Sequence, residues 1–145
     1  MPRMKSSESK YCRCLYFATN SLARKVEKMA IESWKPVSLS PSHAYLLMMT
    51  IEEPGLQPGN LADHLQLTPS TITRLIEKLE KKKLVVRMTE GKITNVYPTA
   101  KAKQLLPQLK RCGQHFSKTF NKILGKNENS AILASIYSLA SKLET

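Results

Sequence analysis

Residues 58–84 read PGNLADHLQLTPSTITRLIEKLEKKKL, and this stretch decides the fold. Its first part carries Leu61, Ala62 and Leu65 at helical spacing and predicts a helix of about two turns. At Thr68-Pro69, the threonine hydroxyl can cap a second helix, and the proline suits the first helical position because the N–H there lacks an intrahelical partner. The segment therefore predicts a helix-turn-helix.

The second predicted helix has two faces of opposite character. Ile72, Leu75, Ile76 and Leu79 recur at helical spacing, so this face should pack inward. The other face carries small hydroxyls and cations, a combination that suits the major groove of DNA. Short side chains allow close approach there, and Arg74 can bond guanine O6 and N7 with two parallel hydrogen bonds. The candidate DNA contacts are Asn60, Ser70, Thr71, Thr73, Arg74, Lys78, Arg87 and Lys92.

A β-hairpin is predicted directly after this helix. Residues 84–89 and 93–97 have the composition of strands, and Gly91 lies in the turn between them. Between positions 69 and 92, seven cations stand against three acids, so a local positive charge accompanies the predicted groove-binding helix. We expect Lys78 to meet phosphate, and Ser70, Thr71, Thr73 and Arg74 to meet the bases.

The composition of the chain agrees with a nucleic-acid partner. Its 145 residues include 23 Lys and Arg against 11 Asp and Glu, a net charge of +12, which favours a polyanion such as nucleic acid or an anionic membrane surface. The N-terminus lacks a signal-peptide core, and no apolar run approaches the roughly 20 residues of a membrane span. We therefore expect a cytoplasmic protein with no membrane partner.

The flanking sequence predicts further helices. A first helix from about Ser9 to Ser33 should carry the stripe Cys12, Leu15, Leu22, Val26 and Met29, which seeks another helix. A core helix is predicted over residues 40–52. A long helix should follow Thr99, and a last helix carries an apolar stripe that ends at Leu143. The predicted fold is mainly α with a small β-wing.

Two segments resemble a known family. Residues 60–65 (NLADHL) and 68–84 (TPSTITRLIEKLEKKKL) look like the third and fourth helices of the MarR family of winged-helix regulators. The order of helices before and after is similar, so the resemblance covers nearly the whole chain. It implies a single MarR-like domain, with a winged-helix DNA-binding lobe at about 37–98 and a helical dimerisation lobe at about 9–34 and 99–143.

The resemblance also implies a function. Members of this family form homodimers that place two helices in successive major grooves of double-stranded DNA, roughly 34 to 36 Å apart on a palindromic operator. They often release DNA when a small effector alters the spacing of the two DNA-binding lobes of the dimer. We therefore expect a transcriptional regulator, and specifically a repressor released by a small molecule.

The wing departs from the family pattern. Where the family carries Asp-x-Arg, this chain has Glu90-Gly91-Lys92. A lysine cannot hold the fixed two-pronged contact that an arginine makes in a groove. We therefore expect Lys92 to contact backbone phosphate.

An effector pocket and a redox-active thiol are the secondary predictions. The pocket is expected around Trp34, His43, Tyr45 and Met48, for which core packing is the alternative role. The stretch from Cys12 to Tyr16 resembles the first helix of the family's organic-hydroperoxide-sensing branch. This similarity implies a thiol-based sensor at Cys12, and a buried structural thiol is the alternative.

Other classes of function receive less support from the sequence. Cys12 and Cys14 lie two apart on a predicted helix and so point to different faces, which argues against joint metal binding. All three cysteines, Cys12, Cys14 and Cys112, are expected to be small core residues. No nucleophile-and-base motif appears, so we expect neither an enzyme nor a cofactor. A winged-helix protein-interaction module and an RNA-binding winged helix stay open as alternatives.

Overall fold

The structure is a computed structural model and describes residues 2–144. In chain order its elements are a 3-10 turn at Ser6–Glu8, α1 Leu15–Trp34, a second 3-10 turn at Lys35–Val37, α2 Pro41–Glu52, α3 Pro58–Leu65, α4 Pro69–Lys81, β1 Val85–Glu90, β2 Ile93–Pro98, α5 Ala100–Leu124 and α6 Lys126–Leu143. The predicted mainly α fold with a small β-wing is confirmed. Among the described helices, none combines the length and apolar character needed to cross a bilayer.

The prediction that the first helix starts near Ser9 is wrong. The helix begins at Leu15, after Cys14 in an extended conformation (φ −86°, ψ 121°). The Ser9 side chain accepts a hydrogen bond from the Tyr11 N–H (3.2 Å), and such local bonds compete with helix formation. Cys12 therefore lies in a turn, and the prediction that Cys12 and Cys14 occupy different faces of a helix is wrong as well.

The core is built around α2. Ser40 caps this helix by accepting the His43 N–H, and Pro41 occupies its first turn. The helix packs against α1, α3, α4, α5 and β2, which confirms its predicted central position. Residues with no exposed surface come from nearly every element around it and include Trp34, Leu46, Leu47, Leu61, Ile72, Leu79, Val96 and Leu109.

The last two helices leave apolar surface uncovered. The Thr99 hydroxyl caps α5 as predicted, and the helix continues through Pro107 until Gly125, which has a positive φ of 83°. None of the residues of α6 is buried. Its predicted stripe is exposed, as are two stripe residues of α1; these side chains are Leu15, Leu22, Ile132, Leu133, Ile136, Leu139 and Leu143.

Candidate nucleic-acid interface

The helix-turn-helix is confirmed at the predicted place. A reversal between α3 and α4 occurs at Gln66, which adopts the left-handed conformation (φ 54°, ψ 45°). The Leu67 N–H then bonds back to the Ala62 carbonyl (3.1 Å), closing the end of α3. At the start of α4, the Thr68 Oγ1 accepts the Thr71 N–H (3.3 Å), and Pro69 is the first helical residue. The predicted cap is therefore the one that forms.

Helix α4, called the recognition helix below, is divided into a buried and an exposed face. Ile72, Leu75, Ile76 and Leu79 all belong to the core, as their spacing predicts. The outward face is exposed at Ser70, Thr73, Arg74, Glu77, Lys78 and Lys81. Within residues 2–144, Arg74 forms no ion pair, which leaves its guanidinium available to a ligand outside the chain.

Several predicted DNA contacts already hold hydrogen bonds inside the chain. The Thr73 hydroxyl donates to the Pro69 carbonyl (3.0 Å), so toward a base it can only accept, for example from an exocyclic amino group. The Thr71 hydroxyl lies 2.9 Å from the Thr68 hydroxyl within the cap. Asn60 Oδ1 accepts the Gln57 N–H (3.2 Å), which leaves the Asn60 amide as the group free to donate. Arg74 is thus the least committed of the predicted base contacts.

The wing follows as an antiparallel pair of strands. Its register runs from Val85 opposite Pro98 to Glu90 opposite Ile93, with a two-residue turn in which Gly91 has a positive φ of 62°. Lys92 completes this turn and is exposed at the tip of the wing.

The loop before α3 anchors the base of the wing, a feature that the sequence pattern does not reveal. Val96 bonds this loop through both of its backbone groups, to the Leu56 carbonyl (2.9 Å) and the Gly55 N–H (2.8 Å). The β2 strand is thereby fixed to the entry of the helix-turn-helix.

Arg87 occupies a place that its sequence position does not indicate. Its guanidinium lies 2.7 Å from Glu80 Oε1, in an ion pair between β1 and the recognition helix, with about a third of each side chain exposed. Such a partly exposed pair contributes about 1 kcal/mol or less to stability, but it fixes the direction of a long side chain. The predicted DNA contact at Arg87 is therefore held against the recognition helix.

The lysine run after the recognition helix divides into different environments. Lys81 and Lys83 are exposed, whereas Lys82 is half-buried. The Lys82 ammonium donates to the Ser38 carbonyl (2.9 Å), 44 residues earlier in the chain. Thr99 holds the next residue, since its hydroxyl donates to the Lys83 carbonyl (2.8 Å). Because the three residues are identical, the sequence does not show which of these lysines is half-buried.

Three of the four predicted pocket residues line one cavity of about 510 Å³, bordered by the end of α1, by α2 and by α5. Trp34 is fully buried there, with its ring 5.1 Å from that of the exposed Tyr45. Its indole Nε1 has no hydrogen-bond partner among the described residues. The lining residues are Trp34, Tyr45, Met48, Leu109, Lys110, Gly113, Gln114, Ser117, Lys118 and Asn121.

The fourth predicted pocket residue, His43, does not line this cavity. It is buried at the start of α2, where its ring bonds the Ser40 hydroxyl. Burial lowers the pKa of His43, and the nearby cations Lys78 and Lys82 lower it further. These surroundings favour the neutral imidazole and give His43 a structural place between α2 and the recognition helix.

Cys12 and Cys14 are exposed, so the expectation that they are core residues is wrong, whereas Cys112 is buried as predicted. Cys12 borders a second cavity, of about 340 Å³, together with Arg24 and Lys25. Within the described part of the chain, no group of three potential metal ligands from His, Cys, Asp and Glu comes together.

Comparisons with known proteins give a consistent result. Residues 37–92 match the family model described as MarR family. The chain is 25% identical over 126 residues to YybA, an uncharacterized HTH-type transcriptional regulator of Bacillus subtilis (strain 168), covering 85% of this chain and 84% of that protein.

Solved structures extend the likeness over most of the chain. The transcriptional repressor CouR bound to p-coumaroyl-CoA is similar with a TM-score of 0.82 and 20% identity, over 95% of this chain and 98% of that one. The S. aureus MepR–DNA complex is similar with a TM-score of 0.77 and 20% identity, over 90% of this chain and 98% of that one. The helices and the wing described above thus have the same arrangement as in these proteins.

Proposed function

We propose that the chain is a member of the MarR family of winged helix-turn-helix regulators and acts as a sequence-specific DNA-binding transcriptional regulator. The observation that carries the proposal is Arg74, which is exposed and has no ion-pair partner among residues 2–144, on a recognition helix whose other face is fixed in the core. Its guanidinium has the donor geometry for guanine, and Lys78 and Lys81 follow on the same surface to meet phosphate. MepR, which has a similar fold, was solved as a complex with DNA, and this supports DNA as the partner of the present chain.

A homodimer is the form in which we propose that the chain acts. The exposed apolar stripes of α1 and α6 supply a surface that a second copy would cover, with α5 completing the lobe. In this arrangement the dimerisation lobe comprises residues 15–34 and 99–143, and the DNA-binding lobe residues 37–98. Two recognition helices about one helical turn apart favour a palindromic operator.

The proposed mode of regulation is repression relieved by a small effector. The cavity at Trp34 lies between the two lobes of the chain, so a ligand there contacts residues of both. Such a ligand changes DNA affinity only to the extent that it binds one arrangement of the lobes better than the other. The relative CouR has been solved with p-coumaroyl-CoA, which supports an effector in this chain as well.

We further propose a cytoplasmic location and no catalytic activity.

Selection of bound duplexes from a random pool tests this function directly. We expect a palindromic sequence with half-sites one helical turn apart, and affinity for it that falls steeply with salt. Equal affinity for the best selected duplex and for random DNA would contradict the proposal. A protein partner recovered by pull-down, together with weak DNA binding at physiological salt, would instead favour an interaction module.

Redox sensing at Cys12 is a second candidate, favoured by the exposure of this thiol in a cavity that also carries Arg24 and Lys25. Accessibility and neighbouring cations both favour oxidation of a thiol by a peroxide. The test compares DNA release by an organic hydroperoxide in the wild type, in Cys12→Ser and in the control Cys14→Ser. Release that is abolished only in Cys12→Ser supports the sensor, and equal release in all three removes it.

A further inference from the structure

The run Lys81 to Lys83 follows the recognition helix of a proposed DNA-binding protein, so each of its ammonium groups could be assigned to phosphate. The structure separates them. Lys81 and Lys83 are exposed, whereas Lys82 is half-buried and its ammonium donates a hydrogen bond to the Ser38 carbonyl (2.9 Å). The hydrogen bond to this carbonyl fixes the direction of the Lys82 side chain, which indicates a role for Lys82 beyond a contact with phosphate.

Lys82 is held on its other side as well. Its own carbonyl accepts a hydrogen bond from the Lys101 ammonium near the start of α5 (3.1 Å), and its N–H bonds the Lys78 carbonyl (3.1 Å). Three residues earlier, Leu79 has no exposed surface and fixes the recognition helix in the core. The position of the Lys82 side chain therefore follows that of the recognition helix.

Ser38 connects this hydrogen bond to the cavity. It adopts the left-handed conformation (φ 56°, ψ 34°), and its N–H bonds the Lys35 carbonyl (2.9 Å), which closes the 3-10 turn Lys35–Val37. That turn starts directly after Trp34, which is fully buried and lines the cavity. The turn also packs against α1 and α5, so its position depends on these two helices.

We propose that Lys82 is a positioning residue that ties the end of the recognition helix to the turn that follows Trp34, and thereby couples DNA binding to occupation of the cavity. The inference rests on the proposed function. A hydrogen bond of 2.9 Å is broken when its atoms separate beyond about 3.5 Å. A ligand that displaces Trp34 and the turn farther than the Lys82 side chain can follow therefore either moves the recognition helix or breaks the bond. Because such coupling is reciprocal, binding of DNA to the recognition helix must also change the environment of Trp34.

The single tryptophan of the chain provides the readout, since Trp34 gives one indole N–H signal in a nitrogen–proton correlation spectrum. The experiment records that signal for the full chain, free and bound to the palindromic duplex recovered by selection. The variants are Lys82→Met, which keeps the aliphatic stem without the ammonium, Lys82→Arg, which keeps a donor, and Lys81→Met, which removes an equal charge one residue away. Salt dependence of DNA affinity is measured in parallel.

We expect Lys82→Met to move the indole signal in the free protein and to reduce the DNA-induced change by at least about half. Lys82→Arg should resemble the wild type. Lys81→Met should leave the indole signal in place but lower the salt slope by about 0.9 for each phosphate that is no longer neutralised. An indole signal that Lys82→Met leaves unmoved in the free protein, or a DNA-induced change equal to that of the wild type, overturns the inference.

The two proposals fail in different ways. A wild-type chain that binds no duplex better than random DNA contradicts the proposed function. The comparison of the indole signal between Lys82→Met and Lys81→Met in the free protein still decides whether the Lys82–Ser38 hydrogen bond transmits to Trp34, and an equal effect of the two variants refutes it.

Discussion

Replacement of Arg74 by alanine should relax base recognition without weakening the fold. The side chain is exposed and has no ion-pair partner within residues 2–144, so the unfolding free energy should change by no more than about 0.5 kcal/mol. A two-pronged arginine–guanine contact contributes about 1 to 3 kcal/mol of discrimination. Since tenfold in affinity corresponds to about 1.4 kcal/mol, the affinity of each half-site should fall by about 5- to 150-fold.

The assay is fluorescence anisotropy with the selected duplex, with single-base variants of it and with random DNA, each at several salt concentrations. Arg74→Lys is the matched control, because it retains the charge but not the fork of donors. It should lose base preference nearly as fully as Arg74→Ala while keeping the wild-type salt slope. If Arg74→Ala instead lowers affinity for selected and random duplexes by the same factor, the assignment of Arg74 to a base is refuted.

Three further predictions concern the supports of the interface. Thr68→Ala should lower the unfolding free energy by about 1 kcal/mol through loss of the helix cap, seen as a lower urea midpoint; an unchanged midpoint argues against the cap. The pKa of His43 is lowered from its ordinary value of 6.5, so the folded chain takes up a proton less readily than the unfolded chain. Stability should therefore fall as pH drops below about 6.5, less steeply in His43→Gln, and equal slopes would contradict this. Lys78→Met should lower the salt slope of DNA binding by about 0.9 for each phosphate it neutralises, and Arg87→Met by less because Glu80 already pairs it; equal slopes for both would refute that distinction.

The recognition helix can be predicted from the sequence because its determinants are local. A capping threonine, a proline in the first turn and apolar residues at helical spacing act within a few residues of one another, and all of them function as expected in α4. The start of α1 is harder to predict because the apolar stripe of this helix extends back to Cys12. In the structure the helix begins only at Leu15, and the residues before it form local turns, with a hydrogen bond from the Tyr11 N–H to the Ser9 hydroxyl.

The interactions that the sequence could not reveal are those between distant segments. Glu80 and Arg87 belong to different elements, and the Lys82 ammonium finds a carbonyl 44 residues away. Neither pairing follows from a periodic pattern in the sequence. Several other acids or carbonyls could equally have been the partner of Arg87 or Lys82. The sequence predicts His43 in one pocket with Trp34. In the structure, His43 does not line the cavity and instead lies near Lys78 and Lys82, at the recognition helix and its end.

If a second copy of the chain covers α6, the concentration of the protein affects how much of it can bind DNA. The 18-residue α6 has no buried side chain, and most of the stability of a helix in a protein comes from packing of its apolar face. If a second copy supplies the missing cover, ordering of α6 and pairing become one equilibrium that depends on concentration. When the total amount of such a regulator is halved, the concentration of the DNA-competent dimer then falls by more than half.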